Sequence, residues 1–283
     1  MGFLRNFAGL VSSNGLAAAI AYATGLELFG LVCVGIQWVV ALVHAIPAQN
    51  EQYFDLTGSV TFAIVSLLAL VKNEQKTWRS ALLTAMVSFW CVRLGSFLFF
   101  RIRGAGSDSR FEKIRGNPLR FLSVWSIQGL WVFLTLLAVL LFQRYGNASS
   151  AVTIFDIVGG FVWLTGYVIE VLADHQKTIF RADARNKDKF ITHGLWAYSR
   201  HPNYFGEIVM WVGIFLMAVH TLPTTTMQYT AAVSPAFVTL LLTKVSGIPL
   251  LEKQADKKWG DNKQYQEYKA RTSVLMLLPP SKK

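Results

Sequence analysis

The sequence predicts an all-α, polytopic membrane protein with seven transmembrane helices. Of the 283 residues, 53% are hydrophobic and only 15% carry a charge, and a soluble chain of this length would carry more charge. The apolar residues are also grouped in runs long enough to cross a bilayer. A net charge of +11 fits either basic loops on one membrane face or a ligand that carries phosphate. So apolar a composition argues against a nucleic-acid-binding protein.

The spans follow from the charge-poor runs in chain order. The first run contains Glu27 and His44 and is closed by Pro47, since proline stops a helix. The third contains Arg93, the fourth has no charge at all, and Pro223 separates the last two. The predicted spans lie within 16–46, 56–71, 81–100, 121–142, 151–172, 204–219 and 231–251. After them, the segment 252–268 predicts an amphipathic helix with a turn signal at 260–262.

The basic residues predict the orientation. With seven spans, twenty Lys and Arg residues fall on one side of the membrane and five on the other. The positive-inside rule then places the N-terminus outside and the C-terminus in the cytoplasm. We predict one membrane domain covering residues 1–283, with a cytosolic cap made of segments 101–120, 173–203 and 252–283.

Common soluble-enzyme motifs are absent from the sequence. It contains no dinucleotide-binding G-x-G-x-x-G after a strand, no P-loop, no H-E-x-x-H and no G-x-S-x-G elbow. The five histidines do not have metal-ligand spacing, so we expect no metal. A site must therefore be assembled from helix ends and loops.

A dense group of polar residues directly precedes the sixth span. Arg200, His201, Asn203 and Glu207 fall within eight positions, and ionisable groups at a membrane boundary usually serve a ligand or a partner. A solvated loop is the alternative interpretation.

The preceding loop has features suited to a nucleotide. Arg181 and Arg185 are four residues apart, so one helical turn would direct both at one anion. Trp196 and Tyr198 offer flat faces for a ring. Asn203 can both donate to and accept from a carboxamide. A nicotinamide adenine dinucleotide would use these groups well.

Residues 174–207 (DHQKTIFRADARNKDKFITHGLWAYSRHPNYFGE), 93–101 (RLGSFLFFR) and the tail from Val245 through Glu252 to Arg271 resemble the bacterial branch of the steroid 5α-reductase-like family, DUF1295. The resemblance implies a membrane reductase that uses NADPH and reduces the C=C bond of an α,β-unsaturated ketone, typically a 3-oxo-Δ4-steroid. We further expect a monomer in the bacterial inner membrane, with membrane lipid and an apolar steroid-like substrate as its partners.

The resemblance also assigns site residues. Those expected to bind the cofactor or to close its pocket are Asp174, Arg181, Lys189, Tyr198, Arg200, His201, Asn203, Tyr204, Glu207, Glu252, Tyr265 and Arg271.

For catalysis we predict Glu51, Asp55 and Trp90. A carboxyl of Glu51 or Asp55 in an apolar pocket could stay protonated and donate a hydrogen bond to a substrate carbonyl. Animal family members have a Gln-Glu pair near this point, which Gln49-Asn50-Glu51 matches loosely. They have a Tyr where this chain has Trp90.

Two other functions compete. An S-adenosylmethionine-dependent methyltransferase of the isoprenylcysteine type shares an R-H-P-x-Y-x-G motif. However, the basic loop 177–189 suits phosphates, which S-adenosylmethionine lacks. A non-enzymatic carrier would distribute its polar residues through the middle of the bundle, whereas here they cluster at one edge.

Overall fold

The structure, a computed structural model, describes residues 2–108 and 110–281, with side chains from residue 9 onward except at 105. Within these ranges all regular structure is helical, and no strand is formed beyond one isolated bridge. The α-helices in chain order are α1 (Gly2–Thr24), α2 (Glu27–Val40), α3 (Ile46–Ala48), α4 (Phe54–Lys72), α5 (Trp78–Ala105), α6 (Pro118–Tyr145), α7 (Ile154–Ala182), α8 (Pro202–Val219), α9 (Thr225–Leu240), α10 (Ile248–Trp259) and α11 (Lys263–Arg271). π-helical turns at Ala41–Ala45 and Leu241–Val245 extend α2 and α9.

Among the described residues, seven helical segments are long and apolar enough to cross a membrane. They are Glu27–Ala48, Phe54–Lys72, Trp78–Gly104, Pro118–Tyr145, Ile154–Ala182, Pro202–Val219 and Thr225–Trp259. The predicted all-α class and the seven candidate spans are therefore confirmed, and they indicate an integral membrane protein.

The first span differs in its bounds: it was predicted within 16–46, whereas the helical segment that can cross a membrane is Glu27–Ala48. Helix α1 ends at Thr24 and α2 begins at Glu27, so the run is two helices. Gly25 between them has φ = 64°, a conformation that only glycine adopts readily. The hydroxyl of Tyr145 donates to the Thr24 carbonyl at 2.9 Å. A Cβ at position 25 would collide with that hydroxyl, so the break depends on a residue distant in sequence.

The helix predicted over 252–268 is also wrong in its bounds. Helix α10 begins earlier, at Ile248, and α11 is a separate helix. The predicted turn at 260–262 is confirmed, because the Asn262 side chain accepts hydrogen bonds from Gln264 N and Tyr265 N and so caps α11.

The described chain divides into two compact units, and the first contains residues up to Ala151 together with Ala218–Ser234. In it α1, α2 and α4 pack on α6, which is buried along most of its length. This follows from the sequence, since 121–142 has no charged residue to hold at a water or headgroup surface. Gly129 lets α2 approach closely: a Cβ there would lie 3.1 Å from the Cys33 carbonyl oxygen.

The second unit contains Val152–Met217 and Pro235–Lys283. Its helices α7 and α8 meet along glycines, with Gly159 and Gly166 facing Gly213 and Gly206. A Cβ at Gly206 would lie 2.6 Å from the Gly166 carbonyl oxygen, so the two backbones touch. Small residues permit such close packing of helices in membranes. The contact fixes the start of α8 beside the middle of α7.

Candidate functional site

The sequence Ser199-Arg200-His201 directly precedes α8, whose first residue is Pro202. Proline suits a helix start because the first turn has no intrahelical partner for its N–H. The Ser199 hydroxyl accepts a hydrogen bond from the His201 N–H at 3.1 Å. The turn holds Arg200 and His201 side by side, so both side chains reach α10.

Glu252 on α10 binds both of these side chains. Arg200 Nη2 lies 3.0 Å from Glu252 Oε2, and His201 Nε2 lies 2.9 Å from Oε1. Lys269 Nζ is 3.6 Å from Oε2, and Arg200 Nη1 also donates to the Lys269 carbonyl at 2.7 Å. Charge-assisted bonds of this kind are among the stronger ones in proteins. Glu252, predicted to contact a cofactor, thus has both carboxylate oxygens engaged by protein groups.

His201 is held in its neutral form. Burial lowers the pKa of its imidazole, and the hydrogen bond to Glu252 opposes this only in part. The neutral ring can donate through Nε2–H to the carboxylate. The ring stacks on Tyr204, with centroids 5.7 Å apart and planes inclined by 8°.

A cavity of about 310 Å³ opens beside this ion-pair group. Its wall combines basic side chains, a single carboxylate and several aromatic rings. Among its lining residues are Lys177, Phe180, Arg181, Lys189, Phe190, Trp196, Arg200, His201, Glu252, Lys258, Trp259, Tyr265 and Tyr268. The five Lys and Arg residues against one Glu give the cavity a positive potential, which suits an anionic ligand.

The aromatic wall is a packed cluster around Phe190. The centroid of the Phe190 ring lies 5.8 Å from that of Trp259, 5.1 Å from that of Tyr265 and 5.7 Å from that of Tyr268. Burial raises the pKa of both tyrosines, so their hydroxyls stay protonated and donate. Tyr268 donates to the Trp196 carbonyl at 2.7 Å, which ties α11 to the loop before α8.

Hydrogen bonds also hold the basic loop against α10. Asp188, with φ = 64°, pairs with Lys258 at 2.7 Å, and its carbonyl accepts from Trp259 Nε1 at 2.6 Å. This fold of the loop places Lys189 at the cavity.

The idea that Arg181 and Arg185 would aim at one anion is wrong. Helix α7 ends at Ala182, and Asp183 adopts an extended conformation. Arg185 then pairs with Asp183 at 2.7 Å on the exposed surface, while Arg181 lines the cavity. A local acidic partner, two residues away, outweighs the helical spacing.

Half of the predicted cofactor residues meet at the cavity. Those that line it are Arg181, Lys189, Arg200, His201, Glu252 and Tyr265. Those that do not are Asp174, Tyr198, Asn203, Tyr204, Glu207 and Arg271.

Asp174, Asn203 and Glu207 lie along the α7–α8 contact instead. Asn203 Nδ2 donates to Asp174 Oδ1 at 3.2 Å, and both Asp174 and Glu207 are buried. Glu207 follows Asn203 by one helical turn, so it faces the same side of α8. Tyr198 is 46% exposed, and Arg271 is the exposed last residue of α11.

Sequence reasoning missed several lining residues. Lys177 and Phe180 were placed in a loop because the fifth span was predicted to end at 172, whereas α7 continues to Ala182. The spacing of Lys177 and Arg181 by four residues was the available signal. Lys177 Nζ lies 4.5 Å above the Trp196 ring. Trp259 gave no local signal, because its contacts are with distant residues.

The predicted catalytic residues belong to the other unit. Glu51 is buried, accepts a hydrogen bond from the Asp108 N–H at 2.8 Å and lies 3.5 Å from Arg115 Nη1. Both oxygens of the Glu51 side chain therefore face protein groups.

Asp55 Oδ2 lies 3.7 Å from Arg101 Nη2 and 3.8 Å from Arg110 Nη2. Trp90 is buried edge-on against Phe62, with centroids 5.1 Å apart. The catalytic roles of Glu51, Asp55 and Trp90 stay predictions.

The fold and the site define a class: a helical membrane protein with a basic, aromatic-walled cavity beside a span start. Residues 38–272 match the family described as protein of unknown function DUF1295, and the chain belongs to that family. The match begins within the first candidate span, at residue 38, and includes the other six spans. It also includes every residue that lines the cavity. No curated protein and no solved structure matches the chain.

Proposed function

We propose that the protein is an NADPH-dependent integral-membrane reductase of the steroid 5α-reductase-like type. It would transfer a hydride to the C=C bond of an α,β-unsaturated ketone, such as a 3-oxo-Δ4-steroid or a similar apolar enone. The observation that carries the proposal is the wall of the cavity, which combines five cationic side chains and one carboxylate with a cluster of packed aromatic rings.

The cationic part of the wall suits phosphates. Lys177 and Arg181 lie on the last turns of α7, and Lys189 follows in the next loop. Arg and Lys are the usual partners of phosphate oxygens. We assign the phosphate contacts to these three residues, because all three line the cavity and come from neighbouring stretches of the chain.

The aromatic part suits a flat base. Trp259 and Phe190 stand at the same cavity, and aromatic faces bind planar rings. The cavity volume is at the lower end of the range for ligand sites, so it would hold part of a dinucleotide and the remainder would extend beyond it. Asn203, held by Asp174 at 3.2 Å, is the group we assign to a carboxamide.

Bound NADPH would supply the hydride. The remaining requirement is a group that stabilises the negative charge on the enone oxygen, in a site that excludes water. The carboxyls predicted for this role are those of Glu51 and Asp55. Loss of one such donor typically lowers turnover about hundredfold or more.

The orientation and location belong to the same proposal. The basic segments 101–120, 173–203 and 252–283 would lie in the cytoplasm by the positive-inside rule, with the N-terminus outside. The cavity is lined from two of these segments and would face cytosolic NADPH. The expected membrane is the bacterial inner membrane.

The direct test is thermal stabilisation of the purified protein by ligand. A ligand that binds only the folded state raises the melting temperature, by an amount equivalent to about 2.7 kcal/mol at one hundred times its Kd. We expect a rise with NADPH, a smaller rise with NADH, and none with S-adenosylmethionine. A rise with S-adenosylmethionine alone would instead support the methyltransferase and refute the reductase.

Variants locate the ligand. Arg181→Ala and Lys189→Ala should each weaken NADPH binding severalfold. Arg185→Ala is the matched control, because Arg185 belongs to the same basic stretch but pairs with Asp183 outside the cavity. Equal affinity in all three variants would refute the assignment of the phosphates to this cavity.

A further inference from the structure

The segment that follows α11 runs along the loop before α8 and is bonded to it. We call residues 272–278 the C-terminal strap. The Arg200 N–H donates to the Ser273 carbonyl at 2.8 Å, and the Ser199 hydroxyl donates to the Leu275 carbonyl at 2.8 Å. The Leu278 N–H donates to the Tyr198 carbonyl at 3.3 Å. Ser199 and Ser273 form an isolated parallel bridge, so hydrogen bonds hold the strap to this loop.

The side chains of the strap alternate between two environments. Val274, Met276 and Leu278 are 42%, 51% and 52% exposed, whereas residues 273, 275 and 277 are half-buried. One face of the strap therefore contacts the protein, and the other presents a row of three large apolar side chains.

The position of this row relates it to the membrane. The strap is bonded to residues 198–200, and the candidate span Pro202–Val219 begins two residues later. At about 3.3 Å per extended residue, the paired loop lies within roughly 13 Å of the start of the span. Tyr198, in the same loop, is 46% exposed, and tyrosine is enriched at membrane–water interfaces.

We propose that the C-terminal strap lies in the membrane interface, with Val274, Met276 and Leu278 inserted among the lipids. The partner of this apolar row is the bilayer, because the strap is fixed next to the end of a span. The sequence continues with Lys282 and Lys283, whose charges would be attracted to anionic headgroups. Apolar side chains combined with nearby basic ones are typical of interfacial segments.

This placement connects the bilayer to the cavity. The backbone of the strap holds Ser199 and Arg200, and Arg200 lines the cavity and pairs with Glu252. Insertion of the strap would therefore fix the wall of the site from the membrane side. The location of the strap does not depend on which ligand the cavity takes.

The test is a fluorescent label whose emission depends on its surroundings. Met276→Cys is labelled with an NBD maleimide in the full chain, which is then reconstituted in vesicles of equal parts phosphatidylcholine and phosphatidylglycerol. The native Cys33 and Cys91 are 0% and 1% exposed, so labelling occurs at the introduced thiol. Glu267→Cys on α11, exposed and outside the strap, is the matched control.

We expect blue-shifted emission at position 276 and severalfold stronger quenching by spin-labelled lipid than at position 267. Val274→Cys, on the same face of the strap, should agree. Equal quenching at 276 and 267 would overturn the proposal. So would a blue-shifted label that spin-labelled lipid does not quench, since this result would mean that a protein covers the row.

Discussion

At the scale of single residues, the ion-pair group at Glu252 determines the geometry of the candidate site. One carboxylate takes hydrogen bonds from Arg200 and His201, which are neighbours in sequence, and lies near Lys269 of α11. Removing one partner of such a group usually costs more than the pair itself contributes, because it leaves a charge without compensation. The site is therefore sensitive to small changes at Arg200 and Glu252.

His201 predicts a pH dependence of stability. Burial holds the pKa of His201 below its ordinary value of 6.5, so the unfolded chain takes up a proton at a higher pH than the folded chain does. As the pH falls below 6.5, protonation of His201 in the unfolded chain lowers the free energy of unfolding. The stabilising contribution of neutral His201 is complete only above that pH. We expect His201→Gln to flatten the decline of the melting temperature between about pH 7 and about pH 5. Thermal unfolding in detergent across this range measures the effect.

The control for this prediction is His175→Gln, since His175 is exposed on α7. It should keep the decline of the parent protein. If the parent and His201→Gln lose stability equally on acidification, the titration of His201 makes no difference to folding.

The sequence predicted many of these residues but not their pairing. Arg200 and His201 were assigned to the site because polar groups beside a span are rarely without a role, and Glu252 was assigned from the resemblance of the tail. Their mutual bonds connect positions 51 and 52 residues apart, and no local pattern reports such a contact. For Arg185 the error was the opposite one. Its partner Asp183 is only two residues away, but the prediction relied on the four-residue spacing from Arg181 instead.

At the scale of helices, the glycine contact between α7 and α8 sets the position of the site. The backbones touch at Gly166 and Gly206, which brings Asn203 within hydrogen-bond distance of Asp174. A side chain at either glycine would push the helices apart and move the start of α8, with Arg200 and His201 attached to it.

The contact predicts a large difference between two substitutions on the same helix. A Cβ at Gly166 would lie 2.5 Å from the Gly206 carbonyl oxygen, whereas a Cβ at Gly160 has no neighbour within 4 Å. We expect Gly166→Ala to destabilise the protein by about 1–3 kcal/mol through overpacking. Gly160→Ala should be neutral or slightly stabilising, since alanine favours helix by about 1 kcal/mol over glycine. The measurement is the melting temperature of each variant relative to the parent protein. A similar loss in both variants would show that the close contact at Gly166 does not cause the destabilisation.

The helices also show where a sequence pattern succeeds and where it fails. The charge-free run 121–142 predicted a central span, and α6 has most of its surface buried. The break at Gly25 was missed because a glycine alone does not indicate the end of a helix. Glycine is required at this position because of Tyr145, which is distant in sequence. The extension of α7 to Ala182 was missed because its last turns are polar. These turns continue the helix towards the cavity, beyond the end of the apolar run from which the span was predicted.

At the scale of the whole molecule, the two compact units are interleaved in sequence. Ala218–Ser234 belongs to the first unit, although the segments on either side of it belong to the second. Pro235 stands inside α9 at the boundary, where it removes one helical hydrogen bond. Composition predicted the membrane class and the number of spans, but it contained no information on this division.

The orientation predicted from charge can be measured directly. Ser150→Cys lies in the exposed connection between α6 and α7, and Glu267→Cys lies on α11. We expect a membrane-impermeant maleimide to label position 150 in intact cells, and position 267 only after permeabilisation, because the positive-inside rule places the C-terminus in the cytoplasm. The reverse pattern of labelling would refute the orientation.

The pairing of the strap with the loop before α8 has a consequence for biosynthesis. One bond that closes it, from the Ser199 hydroxyl to the Leu275 carbonyl, joins residues 76 positions apart. At roughly 5–20 residues per second, a ribosome needs about 4–15 s to synthesise that interval. During this time Ser199 and Arg200 have been made but lack their final partners. The nascent protein therefore passes through a stage in which its spans can already enter the membrane while the site is still incomplete.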